Sequence, residues 1–222
     1  HPFGTDEFGR DILSRIIYGS RVSISIGIVA QVIASIVGVT LGSLAGYYGG
    51  WIDNTISRIM EIFQAFPDLI FAMAIMTFLG KGVLNLFIAL GLLTWVRTAR
   101  MIRGSVMQLK EKEYIEASRA CGASTYWIIM KGLVPNCLST IIVLVTLGIP
   151  NAIMYEASLS FLGIGIQPPT PSWGNMISAA QTFISYRPVY SIMPGVAIMI
   201  TVIAFNIFGD GLRDALDPKL KN

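Results

Sequence analysis

Of 222 residues, 54% are hydrophobic and 13% are charged, with a mean hydropathy of +0.66, against about 25% charged in an average soluble domain. This composition excludes a soluble globular enzyme and marks an integral membrane protein, with membrane lipid as its solvent and no nucleic acid as a partner. The net charge of +3 is small, so where the charges lie carries more information than their sum. Cys121 and Cys137 make no disulfide framework, and the one histidine, His1, leaves no metal cluster, so neither a metal nor a cofactor is expected.

Residues 1–21 are polar with a short amphipathic stretch. Phe8, Ile12, Ile16 and Ile17 share one helical face and Asp11, Arg15 and Arg21 lie off it, which predicts a short helix lying in the membrane interface. Residues 22–222 read as one transmembrane domain. A helix rising 1.5 Å per residue needs about twenty residues to cross the hydrocarbon, and 22–48 supplies more. Within it Gly27, Ala30, Ala34, Gly38 and Gly42 form a small-residue stripe suited to close helix contact.

The second span is expected over 56–79, with Glu61 in it and Asp68 capping a helix that resumes after a kink at Pro67. A tight turn at 80–82 leads to the third span, 83–107, whose Arg97, Arg100 and Arg103 are expected to run past the lipid into a polar loop, 108–135. The fourth span covers 137–166 and is interrupted by Gly148 and Pro150. An extracytoplasmic segment at 167–190 follows, whose prolines at 168, 169 and 171 forbid a regular helix and whose residues 175–185 read as a short one. The last span, 190–208, ends in a polar tail.

Lysine and arginine set the orientation. With 108–135 cytoplasmic, the inner side carries Arg58, seven basic residues from Arg97 to Lys131, and Arg213, Lys219 and Lys221 in the tail. The outer side carries five, Arg10, Arg15, Arg21, Lys81 and Arg187. Five spans with an outer amino end imply a sixth span upstream.

The loop itself has two helical pieces. Residues 114–121 contain good helix formers, Gly122 permits a turn, and Ser124 or Thr125 caps a second helix over 125–131. Tyr126, Trp127, Ile128, Ile129 and Met130 crowd that second helix with apolar surface. Docking into another protein, packing on the protein's own bundle and lying in the lipid interface all fit these residues.

Glu116-Ala117-Ser118, then Gly122, then Pro135 resembles the cytoplasmic coupling loop of importer-type ABC transporter permeases. Ser118, Gly132 and Val134 depart from the usual Ala, Ile and Leu. The stretch from His1 to Asp11, and Glu156-Ala157-Ser158-Leu159-Ser160-Phe161-Leu162-Gly163-Ile164-Gly165 followed by Trp173-Gly174, are similar to segments of the peptide/nickel branch of that family, in the manner of its second, C-type, permeases. The resemblance covers essentially the whole chain. It implies an all-α, type I importer-permease bundle of six spans that works by alternating access. It also implies a homologous second permease, two cytoplasmic ABC ATPase subunits and an extracytoplasmic substrate-binding protein as partners. Glu116, Ala117, Gly122, Ala123, Ser124, Tyr126 and Trp127 would bear the ATPase contact.

The chain has no Gly-x-x-x-x-Gly-Lys-Ser/Thr loop, since Gly80-Lys81 has Ile at 75 and no hydroxyl residue after it, so ATP hydrolysis is expected in a partner. Intramembrane polar residues mark a translocation path. Asp68, Asn151 and Glu156 are the candidates here, although Glu156 pairing with Arg187 is an equally simple reading. Without an internal histidine or a cysteine pair the chain offers little to nickel, so di- or oligopeptides are the expected cargo. A secondary carrier or a channel would instead require a carboxylate relay or an inverted repeat.

Overall fold

In the computed structural model, which describes residues 1–216, Asp11 accepts a hydrogen bond from the Ser14 backbone N–H and so opens the helix α1, Ile12–Tyr48. Its 37 residues make a rod about 55 Å long. The expected interfacial helix is therefore not a separate element. No breaker separates residue 12 from the first span, and Ile12, only 2% exposed, packs on Met176, Ala180 and Tyr190 instead of facing lipid. Phe8 lies outside the helix and Ile17 is exposed.

Ahead of α1, the Asp6 carboxylate accepts from the backbone N–H groups of Phe8 and Arg10 and from Arg10 Nε at 2.6 Å. Burial raises this carboxyl's pKa, but those bonds and the Arg10 charge outweigh it and hold the group below its ordinary value.

After α1 come α2 (Gly50–Gln64) and α3 (Asp68–Leu79), bent from each other by 92°. The kink expected at Pro67 within the 56–79 span is thus a near right-angle break. Pro67, with no N–H to donate, ends the ladder, and Asp68 is the first residue of α3 while Pro67 occupies the cap position. At 12 residues α3 is about 18 Å long, short of a ~30 Å hydrocarbon core. The next helices are α4 (Val83–Leu109), α5 (Glu113–Ala120) and α6 (Thr125–Trp127). Then α6 runs through a wide-turned π segment, Ile128–Leu133, and a tight 3-10 turn, Val134–Cys137, into α7 (Leu138–Phe161). The second loop helix is thus the start of the fourth span and not a separate hairpin arm. The chain closes with α8 (Trp173–Ala180) and α9 (Pro188–Leu216). Lys219 and Lys221 of the tail lie outside the described residues.

Among the described residues, four helices are long and apolar enough to cross a bilayer: α1, α4, the continuous Thr125–Phe161 rod and α9. The α2–α3 pair supplies a fifth if the bent pair counts as one span.

The core is built on α1 against α4 and α7. All five residues of the small stripe are buried, and it forms the contact surface. A Cβ on Gly42 would fall 2.5 Å from the Ala99 carbonyl oxygen, and one on Gly38 would fall 2.8 Å from that of Trp95. Helix backbones this close leave no room for a methyl group. At the loop end, Arg103 on α4 holds Asp53 of α2 through two bonds, one of 2.6 Å.

Gly42→Ala should destabilise the detergent-purified protein by about 1–3 kcal/mol, the usual cost of overpacking. A fall in Tm reports it, with Gly104→Ala as control because a Cβ there meets nothing within 4 Å. The charge asymmetry predicts that Cys121, free and exposed, reacts with an impermeant maleimide only from the cytoplasmic side. Thr170→Cys in a Cys121→Ser chain should react only from outside, and labelling of both from one side would overturn that orientation.

Candidate functional site

Two sites stand out, an elbow at the loop end and a polar cavity among the helices. In the elbow, α5 stops at Gly122, which adopts φ +78°. The Gly122 N–H donates to the Arg119 carbonyl and the Ala123 N–H to that of Ser118, a glycine-terminated helix end that satisfies two otherwise orphaned acceptors. Ser124, and not Thr125, caps the next helix, its Oγ accepting from the Trp127 N–H at 3.3 Å. Ile115 is fully buried among Ile102, Val106, Ile128, Ile129 and Leu133, so the elbow is locked to the end of α4. Gly132 packs against this side chain, where a Cβ would come 2.9 Å from Ile115 Cδ1.

The apolar side chains of the second arm divide between two directions. Ile128 and Ile129 face the core, whereas Tyr126 (75% exposed), Trp127 (48%) and Met130 (45%) face out. Glu116, Ala117 and Gly122 are exposed with them, Ala123 is half-buried, and Ala117, Gly122, Ala123 and Trp127 border one depression of about 410 Å³. The Arg119 guanidinium sits 5.2 Å from the Tyr47 ring and ties α5 to the end of α1.

The cavity, about 470 Å³, opens between α3, α4 and α7, with Gln31 of α1 also on its wall. It brings together Asp68 and Asn151, two of the residues expected on a path. Tyr155 O–H donates to Asp68 Oδ2 at 2.5 Å. Arg97 and Arg100 line the same cavity, with both side chains exposed on its wall. Arg97 is 14 residues from Val83, about 21 Å along α4.

Glu156 is not on this cavity. It is fully buried, accepting from Ser23 Oγ at 2.9 Å and Ser160 Oγ at 2.7 Å, and it makes no contact with Arg187. Those hydroxyls in turn accept from the Trp173 and Ile166 backbone N–H groups. The carboxylate therefore pins the proline-rich segment to α1 and α7. A Cβ on Gly174 would fall 2.6 Å from Ala157 Cα, so this motif packs backbone to backbone.

Residues 38–222 match the model of the family described as binding-protein-dependent transport system inner membrane component. The chain belongs to that family. It is a multi-pass permease subunit of an ABC importer. It is 48% identical over 222 residues to the dipeptide transport system permease protein DppC of Alkalihalophilus pseudofirmus, a match spanning 100% of this chain and 73% of that protein. It is 44% identical over 222 residues to the glutathione transport system permease protein GsiD of Pectobacterium atrosepticum, spanning 100% and 74%. An inward-facing MetNI methionine ABC transporter shares its fold, with a TM-score of 0.70 at 22% identity over 93% of this chain and 98% of that one. An amino acid ABC transporter solved with histidines superposes with a TM-score of 0.68 at 15% identity, over 93% and 99%.

Glu156→Ala leaves two buried hydroxyls without their acceptor, at about 1–3 kcal/mol. Tm should fall and the 162–172 segment should become protease-sensitive, while Glu156→Gln, which keeps a carbonyl acceptor, should stay closer to wild type.

Proposed function

We propose that this permease carries di- or oligopeptides inward across the cytoplasmic membrane by alternating access. In this reading it pairs with a homologous permease, two cytoplasmic ABC ATPases drive it through the 113–131 elbow, and an extracytoplasmic binding protein delivers its cargo. The observation that carries the reading is the elbow. Exposed Tyr126, Trp127 and Met130 stand on a rigid corner fixed by buried Ile115, and that corner bears the Glu116, Ala117 and Gly122 of the coupling-loop pattern. Large apolar side chains held outward on a locked support are what a partner's groove requires. Peptide cargo is supported by the names of the relatives and by the cavity, whose polar groups are carboxylate, amide, guanidinium and phenol.

The test is recovery of ATPase subunits on affinity-purified permease together with uptake of a labelled dipeptide. Gly122→Asp forces a side chain onto a positive φ, but its Cβ meets nothing within 4 Å. Membrane insertion and permease pairing should therefore survive while ATPase recovery and uptake fall at least tenfold. Glu116→Lys should act in the same direction more weakly, because an exposed charge contact contributes about 0–1 kcal/mol. Wild-type recovery and uptake in Gly122→Asp would refute the elbow as the docking element.

A further inference from the structure

We propose that the cavity between α3, α4 and α7 reads the zwitterion of a peptide main chain, Asp68 taking the free α-amino group and Arg97 the free carboxylate. The inference rests on the peptide reading above and goes beyond it by naming the groups that recognise cargo.

Arg97 is set apart from the neighbouring arginines by its lack of a partner. Arg103 is tied to Asp53, Arg100 to Gln64 and Arg58 to Glu61. Among the described residues, Arg97 has no hydrogen-bond or ion-pair partner, although it borders the same cavity as Asp68. Asp68 accepts one bond, from Tyr155, and a carboxylate has about four acceptor sites, so most of its capacity is open. Two opposite charges thus share one cavity and are not paired with each other. Both side chains stand exposed on the cavity wall, and charged groups on spanning helices face water or a polar ligand, not lipid.

The geometry suits a short peptide. A volume of about 470 Å³ lies within the usual range of ligand sites, about 300–1,000 Å³. An extended dipeptide spans about 7 Å between its charged ends. A guanidinium takes a carboxylate through two parallel bonds, a recognition that an amide cannot reproduce. Phe63, Leu93, Leu144 and Leu147 line the same cavity and give apolar wall without directional demands. Such a site reads the two ends of the main chain and tolerates varied side chains.

The complete transporter, reconstituted in proteoliposomes, is supplied with saturating binding protein and labelled alanyl-alanine, alanyl-alanine amide or N-acetyl-alanyl-alanine. Uptake is normalised to the amount each peptide loads onto the binding protein. Arg97→Gln should cut uptake of alanyl-alanine at least tenfold but leave the amide, already slow in wild type, nearly unchanged. Asp68→Asn should do the same to alanyl-alanine and spare the N-acetyl peptide. Arg97→Lys, which keeps the charge but not the fork, should fall between. Equal losses on all three peptides, or wild-type rates in both variants, would overturn the assignment. So would loss of the second permease from the purified variants, which would make these charges part of an interface. A wild-type complex that imports none of the three overturns the peptide reading itself, and the cavity assignment with it.

Discussion

The close approach of α1 to α4 is the constraint on which the rest depends. A stripe of glycine and alanine on α1 allows the backbones to touch where Gly42 meets the Ala99 carbonyl, with Trp95 and Thr98 crowding Gly38 above it. Without a hydrophobic drive between helices in lipid, contact at this range is what gives dispersion its reach. Both candidate sites and the Glu156 network hang from this pair. The end of α4 anchors Ile115 of the elbow, its middle carries Arg97, and the far end of α1 carries Ser23, which bonds Glu156.

Polar groups in the bundle divide into those that build and those that are left open. Glu156, Ser23 and Ser160 satisfy one another and two backbone donors, so they fix the 166–173 segment to α1 and α7. Arg103 and Asp53 close the opposite end in the same way. Arg97 alone of the α4 arginines is left over. In an apolar bundle an unspent charge is costly, and its position on a cavity wall is a better guide to function than the identity of the side chain.

Much of this was legible along the chain. Apolar length marked α1, α4, the fourth span and α9, and the small stripe announced a packing face. The Gly122 turn followed from local chemistry, as did a hydroxyl cap at 124 or 125, which the structure resolves to Ser124. Three features were not legible. Pro67 signals a break in a helix but not the 92° through which α3 departs, since that angle is set by packing on α4 and α7. Arg97 and Arg100 read as the charged end of a span, and nothing local announces that they line one cavity with Asp68, Asn151 and Tyr155. The bond between Glu156 and Ser23 joins residues 133 apart, and no local pattern announces it.

The rod that starts at Thr125 and ends at Phe161 has both working parts on it. Trp127 is at one end, and Asn151, Tyr155 and Glu156 are some 24 to 29 residues along, about 36–44 Å away. With the far end clamped by buried hydroxyls, a tilt of ~5° sweeps the Trp127 end through ~4 Å. The same rotation turns the cavity wall by a much smaller arc. Were the Trp127 end driven by a partner, the helix would act as a lever of unequal arms, turning a broad stroke at that end into a fine adjustment at the cavity wall. The loosened hydrogen-bond ladder from Ile128 to Cys137 is the compliant joint that limits how much of that stroke arrives.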